Sequence, residues 1–178
     1  MKELFELSNF KSASEIDHLV PNKSGLYCIK IRDNASLPRA FQEAMTKKDH
    51  QFVYIGIASQ SLKKRMLNQE LRAKGHGTFF RSIGAALGYL PPFHSLKDKK
   101  NKRNYTFSDQ VEREIISWIN KNLEVNWVCL DENINENETK LIMHYQPLFN
   151  LTKNPTKFRV LSQLRKKCVD HANGILVD

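Results

Sequence analysis

Short apolar runs alternate with amphipathic segments along this chain. Three runs rich in strand-forming residues, at 26–31, 51–57 and 125–130, predict β-strands. Between and around these runs, apolar residues recur at spacings of three and four, which predicts helices. Strands interleaved with helices indicate an α/β or α+β sandwich. Each predicted helix begins at a residue suited to an N-cap, namely Ser12, Ser36, Ser61, Thr78, Ser108, Asn135 and Thr156.

One domain with short additions at both ends accounts for the 178 residues. We predict a helical N-terminal extension over 1–20, a central domain over 21–155, and a C-terminal helix over 156–178 that packs on this domain. The central domain holds an inserted helix at about 36–48. It also holds a basic loop at 95–105, which follows two consecutive prolines.

The chain is strongly basic. Lysine and arginine outnumber aspartate and glutamate by 28 to 19, which gives a formal charge of +9. The excess is concentrated at 97–103 and 165–167. Such clusters bind phosphates because binding releases condensed counterions. The charge therefore favours a polyanionic partner.

Composition disfavours several other protein classes. Three widely spaced cysteines without a CxxC pair argue against a disulfide framework and against a zinc site. No apolar run approaches the roughly 18 residues of a membrane span. The acidic first fifteen residues lack the long apolar segment of a signal peptide. We therefore expect a soluble, cytoplasmic protein without a membrane partner, and the sequence leaves its oligomeric state open.

Five polar residues follow one another in an order that suits phosphodiester cleavage. A Gly-Leu-Tyr tripeptide ends at Tyr27 and a Tyr-Ile-Gly tripeptide begins at Tyr54, each within a predicted strand. Arg65 lies in the next predicted helix, Glu138 lies in the helix before the last, and Asn150 closes a Pro-Leu-Phe-Asn segment. Together they supply two phenols, a guanidinium, a carboxylate and an amide.

This pattern resembles the GIY-YIG nuclease superfamily over residues 24–151. The resemblance implies a small three-stranded antiparallel sheet flanked by helices, whose active face carries the two tyrosines, the arginine and the glutamate. It implies an endonuclease that uses one divalent metal ion, Mg²⁺ or Mn²⁺, held by Glu138. The implied partner is DNA, with RNA left open. The resemblance also implies that Asn150 supports the active site.

The residue types make physical sense in these roles. A lone carboxylate leaves most coordination positions to water and substrate phosphate, which suits Mg²⁺ or Mn²⁺ at Glu138. Arg65 can present two N–H groups to the charge that develops on phosphorus. A cation beside Tyr27 or Tyr54 can lower the phenol pKa from about 10, so that a phenolate takes a proton from water. The sequence does not decide which tyrosine is the base.

Each of these residues also has a structural interpretation that the sequence leaves open. Glu138 stands three residues after Asn135 and fits a capping box. Tyrosines in strands are usually half-buried aromatic residues. Arg65 can be a solvated helix residue beside two lysines, and Asn150 can be a turn residue after a proline.

Two positions depart from the resemblance. Gln69 stands one helical turn after the arginine, where many members have histidine or tyrosine, and Ile57 stands where some members have lysine. His76, in a glycine-flanked loop, is a candidate general base or phosphate contact, or else an exposed loop histidine. If the family lysine assists the activation of water, Lys63 or Lys64 would have to replace it in that role. Otherwise we expect weak activity.

Basic residues near the motifs and in the loop predict the nucleic-acid surface. The predicted contacts are Lys63, Lys64, Arg81, Lys99, Lys100, Lys102 and Arg103. The favoured function is a metal-dependent DNA endonuclease. The alternative is a basic nucleic-acid-binding module with weak or no cleavage. A third interpretation is an assembly protein whose helix from Ser108 binds a partner.

Overall fold

A four-stranded antiparallel sheet organises this computed structural model, which describes residues 1–176. The strand order across the sheet is β1-β4-β2-β3. The antiparallel sheet flanked by helices confirms the predicted fold class. The strands are β1 (Lys11–Ser12), β2 (Gly25–Ile31), β3 (Phe52–Ala58) and β4 (Leu123–Cys129).

The short strand β1 corrects two predictions. It makes the sheet four-stranded rather than three-stranded, and it contains Ser12, where a helix was predicted to begin. Ser12 pairs with Glu124 of β4, and the Ala13 N–H donates to the Leu123 carbonyl at 3.0 Å. Because the edge of β4 offers these backbone partners, the chain is extended here. Turns rather than a helix follow up to residue 19.

Every helix predicted from residue 36 onward is present. Ser108 caps α3 as expected, because its hydroxyl accepts a hydrogen bond from the Val111 N–H at 3.5 Å. No helix within residues 1–176 is long and apolar enough to cross a bilayer. Short 3₁₀ turns lie at Lys2–Phe5, Leu7–Asn9 and Asn34–Ser36. The helices are α1 (Arg39–Met45), a π-helix (Lys63–Leu71), α2 (Thr78–Ala86), α3 (Asp109–Asn122), α4 (Ile134–Tyr145) and α5 (Arg159–Ala172).

The pairing of β2 with β3 decides which side chains share a face. Tyr27 lies opposite Gly56, and Ile29 lies opposite Tyr54. A bulge interrupts the pairing only beyond Ile29. Because side chains alternate along a strand, Tyr27 and Tyr54 emerge on the same face of the sheet.

Each face of the sheet carries its own hydrophobic core. The larger core covers the face with the two tyrosines, and the smaller core covers the opposite face. Ile115 and Ile119 of α3 are completely buried in the larger core. The apolar side of α3 therefore stabilises the fold and is not free to bind a partner. Large members of the larger core are Phe41, Phe79, Phe80 and Phe149, and members of the smaller core are Leu4, Leu26, Cys28, Ile55 and Ile142.

Candidate active site

The two motif tyrosines lie side by side above the sheet. Their ring centroids are 6.1 Å apart. A Cβ atom at Gly56 would lie 2.4 Å from Tyr27 Cζ, and one at Gly25 would lie 2.1 Å from the Val128 carbonyl oxygen. Close packing therefore requires both glycines. Gly56 makes room for the Tyr27 ring, and Gly25 makes room for the backbone of β4.

Burial controls the ionisation of both phenols. Burial raises the pKa of Tyr27 well above its usual value, and the negative charge of Glu70 raises it further. Burial and then Glu70 also raise the pKa of Tyr54. Arg65 lowers the pKa of each tyrosine, but by less. The neighbouring cation thus acts in the expected direction, but the net pKa shift is upward because desolvation of the phenolate is the larger effect.

Arg65 is held in place by two neighbours on its own helix. Its Nη2 lies 2.8 Å from Oε1 of Glu70, and its Nη1 donates to Oε1 of Gln69 at 3.0 Å. The π-helical winding brings residues five apart onto one side, so Arg65 and Glu70 can pair. Gln69, which departs from the family pattern, thus orients the arginine by a hydrogen bond.

Glu70 is a site residue that the sequence reasoning missed. Its side chain is completely buried, and Oε2 accepts from the Phe79 N–H at 2.7 Å and from the Phe80 N–H at 3.3 Å. A Cβ at Gly77 would lie 1.9 Å from Glu70 Oε2, so the glycine makes room for the carboxylate. Burial raises the pKa of Glu70, while Arg65 and the two amides oppose the rise. Its signal in the sequence was a lone acidic residue among apolar helix positions.

Glu138 faces the same group of residues from α4. Its negative charge raises the pKa of Tyr27 and of Tyr54, and its side chain is 13 % exposed. The capping-box alternative is wrong, because α4 begins at Ile134 and its N-cap residue is Asn133. Glu138 Oε2 accepts a hydrogen bond from Lys153 Nζ at 2.6 Å.

The donor set near Glu138 fits a hard divalent cation that keeps water ligands. No group of three or more His, Cys, Asp or Glu side chains within residues 1–176 has metal-binding geometry. A single carboxylate suits Mg²⁺ or Mn²⁺, which take the remaining ligands from water and phosphate. Lys153, whose side chain is 35 % exposed, would have to leave Oε2 or share the carboxylate.

Asn150 supports the strand that carries Tyr54. Its Oδ1 accepts from the Ile55 N–H at 2.9 Å, and its Nδ2 donates to the Ile55 carbonyl at 2.8 Å. The Asn150 N–H also donates to the Pro147 carbonyl at 3.2 Å, so the residue lies in a turn as well. The side-chain amide thereby occupies the outer edge of β3, which is an edge strand of the sheet formed by the described residues.

A cleft of about 280 Å³ lies beside Arg65. Ile57, Lys64 and Gln69 line it together with the arginine. Arg65 is 36 % exposed, so its guanidinium can reach a ligand in the cleft while Glu70 holds it from behind. Lys64 is thus one predicted phosphate contact that lies beside the site.

His76 does not join this group. It neither lines the cleft nor contributes to the pKa shifts of the two tyrosines. The ring is buried, and its Nε2 accepts from the Phe107 N–H at 3.3 Å and lies 3.2 Å from Glu112 Oε1. Burial, and then the charge of Arg81, lower the pKa of His76 to about 4. The exposed-loop alternative is therefore wrong, and these contacts anchor the loop to the core.

The other predicted basic contacts fall into two environments. The loop residues and Lys63 are exposed, although Lys102 Nζ donates to the Leu96 carbonyl at 3.0 Å. Arg81 differs because it is buried beside the Tyr105 ring. The exposed loop residues are Lys99, Lys100, Lys102 and Arg103.

Comparison with known proteins agrees with the geometry. A family model described as the GIY-YIG catalytic domain matches residues 25–167. No curated protein and no solved structure matches the chain. The matched region contains both tyrosines, Arg65, Glu70, Glu138 and Asn150. This chain therefore belongs to the GIY-YIG catalytic domain family, a family of nucleases.

Proposed function

We propose that the protein is an endonuclease that hydrolyses phosphodiester bonds in DNA with the help of one divalent metal ion. The observation that carries the proposal is the convergence of four side chains. Arg65 and Glu138 both act on the ionisation of Tyr27 and Tyr54, although the four residues come from four different elements. Two phenols with raised pKa values, grouped with an arginine and a carboxylate beside a cleft, are typical of a catalytic site.

Arg65 stabilises the substrate phosphate in this proposal. Its position is fixed by the Glu70 carboxylate and the Gln69 amide, while part of the guanidinium faces the cleft. A preorganised cation of this kind lowers the energy of charge that develops on the phosphoryl oxygens. Lys64, on the same cleft, adds a second positive charge for the neighbouring backbone.

The tyrosines act first as hydrogen-bond donors, because their raised pKa values keep both phenols protonated at neutral pH. The Tyr27 hydroxyl is buried and has no hydrogen bond of ordinary geometry within the described part of the chain, although Arg65 and Tyr54 lie close enough to interact with it. In this proposal it donates to a water molecule or to a phosphate oxygen of the substrate. A cation held by Glu138 would stabilise the leaving oxygen and oppose the effect of this carboxylate on the tyrosine pKa values.

Cleavage of supercoiled plasmid DNA tests the proposal. The full-length protein is incubated with Mg²⁺, Mn²⁺ or EDTA, with an RNA of equal length in parallel. We expect nicking only with metal, and a loss of at least about 100-fold in Glu138→Gln. Glu136→Gln is the matched control, since Glu136 lies on the same helix and pairs only with Lys140 among the described residues. Equal cleavage by Glu138→Gln and the wild type would overturn the proposal.

The second candidate is a nucleic-acid-binding module with weak or no cleavage. It is favoured by the Lys153 ammonium on Glu138 at 2.6 Å and by Ile57 at the position of a family lysine. DNA binding that persists in the same experiment, without cleavage under any metal, would select this function over the endonuclease.

A further inference from the structure

A second basic cleft, whose lining residues differ from those of the cleft beside Arg65, lies between α2, α5 and the end of the basic loop. Its centre is Arg81, which is only 9 % exposed. The guanidinium makes no hydrogen bond or ion pair within residues 1–176, and its Nε is buried without a partner. Burial of a cation without a hydrogen-bonded partner is costly, and the Tyr105 ring and the charge of Glu70 offset this cost only in part.

Arg165 of α5 is held close to Arg81 by fixed contacts. Its Nη1 donates to the Thr78 carbonyl at 2.8 Å and to Ser82 Oγ at 3.0 Å. The Tyr105 ring lies 6.0 Å from Arg81 Cζ and 5.5 Å from Arg165 Cζ. Burial and then Arg165 lower the pKa of Arg81, while Tyr105 and Glu70 oppose this effect. Two like charges are thus held together around one aromatic ring.

The two arginines line an open cleft of about 590 Å³. Arg103 and Lys166 add two further positive charges to its walls. Asp170 is the acidic residue that lines it, and this carboxylate is paired with Lys166. The α2 amides at Phe79 and Phe80 donate to Glu70, so these two amides are not available to a ligand in the cleft. A fork of arginines in such a cleft matches the oxygens of a phosphate group.

We propose that the cleft around Arg81, Tyr105 and Arg165 binds a backbone phosphate of the nucleic-acid substrate, away from the bond that is cut. This inference rests on the proposed function for its choice of a nucleic-acid ligand. The phosphate neutralises two arginines that have no carboxylate partner among residues 1–176. Arg103, on the rim, adds an exposed contact. Helix α2 connects this cleft to the active site, because it carries Arg81 and its first amides are bound by Glu70.

Binding measurements without cleavage test the site. A fluorescent DNA duplex is titrated with protein in EDTA over a series of salt concentrations, for the wild type, Arg81→Met and Arg103→Gln. Arg159→Gln is the matched control, an exposed arginine of α5 that does not line the cleft. We expect Arg81→Met to weaken DNA binding about tenfold. In each cleft variant, the slope of the logarithm of the binding constant against the logarithm of the salt concentration should become smaller in magnitude by about one. The control keeps the wild-type slope.

Thermal unfolding with inorganic phosphate tests whether the cleft binds free phosphate rather than a phosphate of the nucleic-acid backbone. We expect phosphate to raise the unfolding midpoint of the wild type, and to raise that of Arg81→Met less. If phosphate raises the unfolding midpoint but the cleft variants keep the wild-type salt dependence of DNA binding, the cleft is a site for free phosphate. That result would overturn the nucleic-acid assignment. If Arg81→Met changes neither measurement, or is itself strongly destabilised, Arg81 is a structural residue and the inference fails. DNA binding is measured in EDTA and cleavage is measured in a separate experiment. The binding result can therefore be interpreted even if the protein does not cleave DNA.

Discussion

Gly56 lies directly opposite Tyr27 across β2 and β3, and the tyrosine ring fills the space that a side chain at position 56 would occupy. The two family tripeptides are therefore one steric unit. The glycine of the second tripeptide is required by the tyrosine of the first.

A methyl group at position 56 should displace the Tyr27 ring. For Gly56→Ala we expect a loss of about 1–3 kcal/mol in the free energy of unfolding, as in overpacked cores. We also expect a roughly 100-fold loss of cleavage rate, since small displacements of catalytic groups are costly. Urea unfolding and plasmid nicking measure the two effects. Gly88→Ala is the control, because Gly88 has a φ of +89° and open space around it. It should lose stability but keep its specific activity.

Removal of the Asn150 side chain should leave both backbone groups of Ile55 without partners at the outer edge of β3. Unsatisfied buried groups cost about 1–3 kcal/mol each. We therefore expect Asn150→Ala to lose about 2–6 kcal/mol in the free energy of unfolding, measured in urea. A loss below about 0.5 kcal/mol, typical of surface changes, would mean that water replaces the amide.

Glu70→Gln should separate the two roles of Glu70. The amide oxygen can still accept from the Phe79 and Phe80 N–H groups, but the ion pair with Arg65 is lost. We expect a fall of about 10- to 100-fold in the cleavage rate, because the arginine is less well positioned. The free energy of unfolding should fall by about 1–2 kcal/mol, less than in Glu70→Ala, which also removes the helix cap. Full turnover in Glu70→Gln would limit this residue to capping α2.

Lys153 should compete with a divalent cation for Glu138. A partly exposed ion pair is worth about 0.5–1 kcal/mol, which corresponds to about a two- to fivefold change in binding. We therefore expect Lys153→Met to reach half-maximal cleavage at a two- to fivefold lower Mg²⁺ concentration. Lys140→Met on α4 is the control, since its partner Glu136 is exposed. A lower rate at saturating Mg²⁺ would instead identify Lys153 as a substrate contact.

His76 should make the protein less stable in acid. Its folded pKa of about 4 lies below the usual 6.5, so the unfolded chain binds more protons between these values. The free energy of unfolding should therefore fall as the pH drops from 6.5 towards 4, by up to about 3 kcal/mol. Pairing of a protonated ring with Glu112 would reduce this loss. Urea unfolding of wild type and His76→Gln across this range measures it, and parallel curves would contradict the prediction.

Strands β2, β3 and β4 and the helices from residue 36 onward could be predicted because they follow local periodicity. The shared face of the tyrosines was implied by the family resemblance and depends on the pairing of β2 with β3. Ser108 and the strand tripeptides carry their signals within a few residues. Arg65 could be placed for the same reason, since it lies in the first helix after β3. Most of the fold and the approximate position of the site could therefore be predicted from local sequence patterns.

Other features depend on contacts between distant segments and left no local signal. Strand β1 has two residues and exists because β4 offers an edge. Glu70 caps a helix that begins eight residues later, and Lys153 reaches Glu138 from the next segment. His76 was misplaced because flanking glycines usually indicate exposure, whereas here Phe107 and Glu112 bury the ring. The phenol pKa values follow from burial, which depends on the complete tertiary structure.

The contact between Asn150 and Ile55 also bears on association between copies of the protein. An edge strand presents free N–H and carbonyl groups that can pair with a strand from another molecule and start aggregation. At β3, the Asn150 amide and the Phe149 N–H already use the groups at Ile55 and Val53. The residue that supports the strand of Tyr54 thereby protects the same strand from intermolecular pairing.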